Sequence, residues 1–194
     1  MYLGFYKFLL LLRHLCNYYH TINQNTIRKS CCIISKVTEK LKLTIELVPA
    51  SSWYNNLRSL LKKEMWDNLR KTVYAKCNYK CAICNSKGKL HCHEIWKYND
   101  KKHIQKLVDL VALCTKCHWI KHIGLAGIHT SQERLSFEKL VKHFMKVNDC
   151  DRTTFEKHKS EAFKKWEERS RYEWTMDLSV YKNIEKHRTL GNGD

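Results

Sequence analysis

The spacing of apolar residues divides this chain into a helical lead-in, a short strand-containing middle and a helical C-terminal part. Over residues 63–75, Trp66, Leu69 and Val73 recur at helical spacing, which predicts an amphipathic helix. Two short apolar or alternating segments predict strands, residues 89–96 and 108–113. Further helices are predicted for the C-terminal part, over residues 131–147 and 153–174. The whole pattern indicates an α+β fold that is mostly helical.

Local signals near residue 50 predict how the lead-in begins. Residues 43–48 alternate roughly between apolar and polar side chains and predict a short strand. The only proline, Pro49, follows them, and either Ser51 or Ser52 is suited to cap a helix that reaches residue 61. We therefore expect a strand and a first helix before the helix over residues 63–75.

Glycine and aspartate residues mark boundaries further along. Gly88 marks a bend after the first cysteine pair. A helix over residues 116–125 is expected to end near Gly124 or Gly127, because glycine commonly follows the last residue of a helix. Asp151 has a side chain that can cap the long last helix.

These boundaries predict five regions. The apolar run near the N-terminus is broken by Lys7 and Arg13, is too short to span a bilayer and has no small-residue cleavage site nearby. We therefore expect neither a signal peptide nor a membrane span. The predicted regions are an N-terminal extension (1–42), a helical lead-in (43–76), a cysteine- and histidine-rich finger (77–128), a helical C-terminal region (129–181) and a frayed tail (182–194).

The net charge of the chain indicates which class of partner it binds. The 194 residues carry a formal net charge of +17, which favours a polyanion, and nucleic acid is the commonest one. An anionic membrane surface is the alternative that charge by itself leaves open. Candidates for contacts with DNA phosphates are five lysines around the predicted finger, Lys101, Lys102, Lys106, Lys116 and Lys121.

Four of the 10 cysteines form two C-x-x-C pairs, Cys81 with Cys84 and Cys114 with Cys117. Two such turns can aim four sulfurs at one ion, and thiolates suit zinc, so the spacing predicts a structural zinc site. A redox dithiol is disfavoured because neither pair opens a helix after a recognisable βαβ strand. A secreted disulfide framework fits neither the length nor the paired spacing, and we expect a reducing, cytoplasmic environment.

Histidines between and after the cysteine pairs suggest a second metal site. His118 and His122 are four residues apart on a predicted helix, which places both imidazoles on one face, as a shared metal requires. Two exposed histidines on a basic helix would give the same spacing. His93 lies upstream on a predicted strand, and a neutral histidine facing a metal-bound phosphate could take a proton from water.

Four sequence blocks resemble the HNH family of ββα-metal endonucleases, namely Cys81-x-x-Cys84, Leu90-His-Cys-His93-Glu-Ile-Trp96, Asp109-Leu-Val-Ala-Leu-Cys114 and Cys117-His118-x-x-x-His122. The resemblance implies a ββα-metal finger stapled by a four-cysteine zinc site and flanked by N- and C-terminal helices. In that family the first motif histidine is the general base, which implies His93 here. The histidine after the last cysteine binds the catalytic metal, which implies His118, and His122 matches a further ligand.

Two positions depart from the family pattern. Asp109 stands where the family usually has asparagine, and it can accept hydrogen bonds but cannot donate them as an amide does. Cys92 stands where the family often has an aspartate or histidine ligand, and thiolate is a poor partner for magnesium. His91 and Glu94 are the other candidates for the third ligand. In an ideal strand His91 and His93 share one face, and Cys92 and Glu94 share the other.

The sequence therefore predicts an endonuclease that cuts DNA, with a structural Zn²⁺ and a catalytic divalent metal such as Mg²⁺, Mn²⁺, Ni²⁺ or Zn²⁺. A non-catalytic zinc-ribbon protein that binds DNA or acts as an adaptor would explain the cysteines and the charge but not the three histidines. A third alternative is an HNH protein whose altered positions have abolished catalysis. A dimer would fit double-strand cutting, although nothing in the sequence requires one.

Overall fold

The computed structural model describes residues 41–53, 56–132 and 134–178. The predicted α+β class is confirmed, since helices make up about half of these residues and one three-stranded sheet accompanies them. The predicted frayed tail and nearly all of the predicted N-terminal extension lie outside the described residues. Within the described ranges, no helix combines the length and the apolar character that crossing a bilayer requires.

The sheet is built around a long hairpin. Strand β1 (Leu90–Asn99) runs antiparallel to β2 (Ile104–Cys114), with a register shift between Ile95 and Trp96. A third short strand, β3 (Thr175–Asp177), pairs in parallel with the start of β2 and was not predicted. The order β1-β2-β3 makes β2 the central strand and leaves β1 at an edge.

In the described part of the chain six α-helices pack around this sheet, α1 (Leu57–Leu60), α2 (Lys63–Lys76), α3 (Thr115–Lys121), α4 (Ile123–Ser131), α5 (Phe137–Asn148) and α6 (Arg152–Arg169). The helix predicted over residues 63–75 is confirmed by α2. The predicted cap of the last helix is also confirmed, because the Asp151 carboxylate accepts a hydrogen bond from the Thr154 amide at 2.8 Å.

The lead-in differs from its prediction. Residues 43–48 form no strand, because side chains of the C-terminal helices take their amides: Leu43 N donates to Asn148 Oδ1 and Ile45 N to His158 Nε2, both at 2.9 Å. Neither predicted serine caps an α-helix, since Asn56 caps α1. Ser51 and Ser52 instead lie in a short 3₁₀ turn, Ala50–Ser52.

The helices after the hairpin also break at other places than predicted. The backbone leaves helical geometry at His122, with φ −104° and ψ 45°, and both glycines predicted to end the helix lie inside α4. Helix α5 begins at Phe137 instead of near residue 131. Helix α6 ends at Arg169, because the chain beyond it turns toward β3.

Apolar packing covers both faces of the sheet. Leu113 packs with Ile120, Phe144 and Phe155 in one buried group. Its neighbour on β2, Ala112, belongs to a second buried group on the opposite face, with Leu57, Val73, Leu107, Leu110 and Leu178. Because successive residues of a strand point to opposite faces, the hairpin is held between two cores and its geometry is fixed from both sides.

Candidate metal centres

The two cysteine pairs meet in space. The sulfur atoms of Cys81, Cys84, Cys114 and Cys117, which we call the cysteine cluster, all lie within 4.8 Å of one another. The sulfurs of Cys84 and Cys114 are 3.6 Å apart. Four convergent thiol groups at this separation could hold a metal ion such as zinc.

Local backbone geometry explains why each pair converges. In the first pair, Cys81 N donates to Ser86 O and Asn85 N to Cys81 O, both at 2.9 Å, so the chain folds tightly around the turn. Gly88 has φ 120°, a left-handed conformation that favours glycine, and the chain then enters β1. In the second pair, Cys114 is the N-cap of α3, and its sulfur accepts from the Cys117 amide at 3.5 Å.

The protonation states of the cysteine sulfurs depend on one another. Hydrogen bonds from Cys117 and then Cys81 lower the pKa of Cys114, whereas hydrogen bonding with Cys114 and then Cys81 raises the pKa of Cys117. Sulfurs this close cannot all be thiolates without a cation among them. A metal ion would remove that conflict, because it stabilises every thiolate at once.

Three histidines form a second cluster beside the hairpin. Ring nitrogens of His93, His118 and His122, which we call the histidine cluster, lie within 4.8 Å of one another. The ring centroid of His93 is 5.5 Å from that of His118 and 4.9 Å from that of His122. His91 is stacked on His118 at 4.7 Å. The strand β1 and the end of α3 therefore supply the two halves of this site.

The histidine nitrogens are suited to a metal or to proton transfer. His93 is 3% exposed, and both of its ring nitrogens are buried without a hydrogen-bond partner among the described residues. Such orphaned polar atoms are costly unless a ligand satisfies them. Burial, followed by the neighbouring histidines, lowers the pKa of His118 and of His122 to about 3, so both are neutral and keep a lone pair at neutral pH.

Two of the three candidates for the third ligand of a catalytic metal lie on the face of β1 opposite the histidine cluster. Cys92 packs against the second core group, where burial raises the pKa of its thiol to about 12. The Glu94 carboxylate accepts a hydrogen bond from the Leu57 amide at 3.1 Å, at the start of α1. His91 is on the histidine face, and its Nε2 lies 3.2 Å from Thr115 Oγ1.

Asp109 is not brought into the histidine cluster. It is exposed, pairs across the hairpin with Ile95, and its Oδ1 accepts from the Leu110 amide at 2.8 Å. Its side chain therefore holds local backbone at the point where the register of the hairpin shifts.

One acidic residue beside the histidine cluster was missed. Glu46 Oε2 lies 3.7 Å from His93 Nε2, and Glu46 Oε1 forms an ion pair with Lys121. Burial tends to raise the pKa of Glu46, but the adjacent His93 and Lys121 outweigh it and lower that pKa to about 2. No sequence signal marks Glu46, because it lies in an irregular segment far from the histidines along the chain.

This ion pair also corrects one predicted phosphate contact. Lys121 is 4% exposed and its ammonium group is held by Glu46 and by Thr44 Oγ1, so it is not available to DNA. The other four candidate lysines are exposed, Lys101, Lys102, Lys106 and Lys116.

A cavity of about 1030 Å³ opens at the histidine cluster. Its lining includes Glu46, the histidine cluster, Trp66 and Trp96. Comparisons with protein-family models, with curated proteins and with solved structures find no match for this chain. Its function is therefore inferred from the chemistry of the two clusters.

Proposed function

We propose that this chain is a metal-dependent, HNH-type endonuclease that hydrolyses DNA phosphodiester bonds. The observation that carries the proposal is the convergence of His93, His118 and His122 on a unit of two antiparallel strands followed directly by a helix. The cysteine cluster lies at the junction of that strand pair and that helix. The same residues carry the resemblance to the ββα-metal endonucleases described above.

His118 and His122 would hold the catalytic divalent metal. Both are neutral imidazoles at neutral pH and come from adjacent turns at the end of α3. A bound Mg²⁺, Mn²⁺, Ni²⁺ or Zn²⁺ would supply Lewis-acid stabilisation of charge on the phosphate and on the leaving oxygen.

His93 would act as the general base. Its buried ring nitrogens have no hydrogen-bond partner among the described residues, so one of them can accept a proton from an attacking water molecule. The cavity beside His93 offers that water and the phosphate a place to bind.

The cysteine cluster would act as a structural zinc site. It fastens the turn before β1 to the junction of β2 and α3, and the Ala82 amide adds a hydrogen bond to Ala112 O at 2.9 Å. Because His93 and His118 lie on the elements so joined, a zinc ion here would hold base and ligand in register without taking part in the reaction.

DNA is the proposed partner on grounds of charge. The net charge of +17 and four exposed lysines around the hairpin would attract the phosphate backbone. Such contacts orient a duplex without reading its sequence.

A non-catalytic DNA-binding or adaptor protein, or a degenerate HNH protein, is the second candidate. The position of Asp109 outside the histidine cluster favours this second candidate. Asp109 stands where the HNH family has an asparagine that assists the catalytic site.

Plasmid cleavage by the purified full chain tests the choice between these functions. We expect nicking or linearisation with at least one of Mg²⁺, Mn²⁺, Ni²⁺ and Zn²⁺, and a loss of about 10²–10⁴-fold in rate for His93→Ala. His129→Ala is the matched control, because His129 contacts Trp119 outside the histidine cluster. Equal rates for His93→Ala and wild type would refute the base assignment. Salt-sensitive DNA binding without cleavage by any metal would favour the second candidate.

A further inference from the structure

Glu46 contacts the histidine cluster at His93, from a part of the chain that carries no catalytic motif. We propose that Glu46 is a positioning residue for the general base: it accepts the Nε2–H of His93, which leaves the lone pair of Nδ1 to take a proton from water. The inference rests on the proposed role of His93 as the base and adds to it a residue from the lead-in.

The carboxylate of Glu46 is held in a fixed orientation. Its Oε1 accepts hydrogen bonds from the Lys121 ammonium group and from Thr44 Oγ1, the latter at 3.0 Å. The same ammonium group donates to Thr44 Oγ1 at 3.0 Å, so these side chains form a closed ring of hydrogen bonds. The backbone joins the two segments as well, because Glu46 N donates to Lys121 O at 3.1 Å. With Oε1 bound in this way, Oε2 is the oxygen that faces His93.

The second carboxylate oxygen lies beside one particular nitrogen of the His93 ring. Glu46 Oε2 is 3.7 Å from His93 Nε2, which is within ion-pair distance but longer than a hydrogen bond. An approach of roughly 0.5–1 Å would make this contact a hydrogen bond, and contacts of this kind are often long before substrate binds. A neutral imidazole carries one ring proton, so an acceptor beside Nε2 favours the tautomer with its lone pair on Nδ1.

This tautomer is the one that a base with a carboxylate behind it requires. The proton of the attacking water leaves its O–H bond and bonds to Nδ1, while the water oxygen bonds to phosphorus and the bond to the leaving oxygen breaks. The His93 ring then carries a positive charge and keeps its Nε2–H. Glu46 stabilises that charge without taking the proton. Because His93 is only 3% exposed, little solvent screens this interaction.

Two other arrangements are less suited to the observations. Glu94 is next to His93 in sequence, but its carboxylate lies on the opposite face of β1 and accepts from the Leu57 amide at 3.1 Å. Glu46 could instead serve only to neutralise the buried Lys121. That purely structural role would leave the tautomer of His93 independent of Glu46, so the tautomer distinguishes the two roles.

Nitrogen-15 NMR of the histidine rings tests the assignment without requiring catalysis. The full chain, labelled at histidine and carrying one zinc ion in its cysteine cluster, is measured at a mildly alkaline pH, and His93→Gln identifies the His93 signals. We expect the wild type to hold His93 in the Nε2–H form. In Glu46→Gln the amide oxygen stays with Lys121, so the amide NH₂ faces Nε2 and favours the Nδ1–H form.

Plasmid cleavage supplies the second measurement. The wrong tautomer cannot take the proton, so kcat of Glu46→Gln should fall by at least about tenfold while KM for DNA changes little. Glu138→Gln is the matched control, because it removes the same charge from an ion pair with Arg152 on α5. We expect this control to keep both the wild-type tautomer of His93 and the wild-type kcat.

Each result has a defined consequence. A wild-type His93 in the Nδ1–H form, an unchanged tautomer in Glu46→Gln, or an equal change in Glu138→Gln overturns the proposal. An active wild type whose kcat equals that of Glu46→Gln overturns it as well. If Glu46→Gln fails to fold, the wild-type spectrum decides, since the Nε2–H form supports Glu46 and the Nδ1–H form excludes it. A wild type whose tautomer depends on Glu46 but which never cuts DNA contradicts the proposed endonuclease alone.

Discussion

The sulfur of Cys117 lies 3.2 Å from Nε2 of His143, which links the cysteine cluster to helix α5. Cys117 is fully buried, and its sulfur would be a thiolate in a metal-loaded site. An imidazole N–H at this distance can donate to a thiolate and stabilise its charge. Helix α5 therefore contacts the cysteine cluster directly, as well as packing against one face of the sheet.

This contact predicts weaker zinc binding in His143→Ala. The substitution removes a donor to a metal-bound sulfur, and partners of this kind typically change metal affinity by about 10–100-fold. Competition with a chromophoric chelator measures the effect. His129→Ala, which removes a histidine of α4 outside both clusters, should keep wild-type affinity. Identical zinc affinity in His143→Ala and wild type would show that the contact does not support the metal.

Loss of one ligand from the cysteine cluster should have a much larger effect. In Cys81→Ser or Cys114→Ser, we expect about one zinc ion fewer per chain and a fall in melting temperature, because metal binding and folding share the same free energy. Cys77→Ser is the control, since Cys77 packs against the second core group and is not part of the cluster. Zinc content by atomic emission and thermal unfolding provide the two measurements. Full zinc content in Cys81→Ser would rule out a four-cysteine site.

Sequence periodicity and motif spacing predicted the central part of the fold. The apolar face of Trp66, Leu69 and Val73 lies in α2, and the strands predicted over residues 89–96 and 108–113 form the hairpin. The strict alternation of a strand also placed His91 and His93 on the face opposite Cys92 and Glu94. Each of these features depends on residues close together in sequence, where a regular period or a fixed spacing leaves a signal.

Features that depend on distant residues could not be predicted in this way. Strand β3 is three residues long and pairs with β2 across more than 60 positions of sequence, so no local period marks it. Lys121 looked like a solvent-exposed cation, but its burial depends on Glu46 in a segment without regular structure. The contact between His143 and Cys117 likewise becomes visible only when α5 packs beside α3.

Exposed and buried lysines predict different salt dependences of DNA binding. The logarithm of the DNA association constant falls linearly with the logarithm of the salt concentration. If the ammonium group of exposed Lys116 contacts a phosphate, Lys116→Gln should reduce the magnitude of this slope by about 1. Lys121→Gln should leave the slope unchanged in the folded protein, because Lys121 is buried and paired with Glu46. Fluorescence anisotropy with a short duplex at several salt concentrations measures both slopes. Equal reductions in the two variants would show that Lys121 contacts a DNA phosphate despite its burial.

Core packing of the C-terminal helices predicts a large loss of stability in Phe155→Ala. Phe155 is fully buried in α6, and its ring meets Phe144 edge to face at 5.1 Å. Truncation leaves a cavity, so the free energy of unfolding should fall by about 3–5 kcal/mol in chemical denaturation. Phe137→Ala removes the same side chain at a partly buried position and should cost less. A similar loss of stability in both variants would show that Phe155 is packed no more tightly between α5 and α6 than Phe137 is.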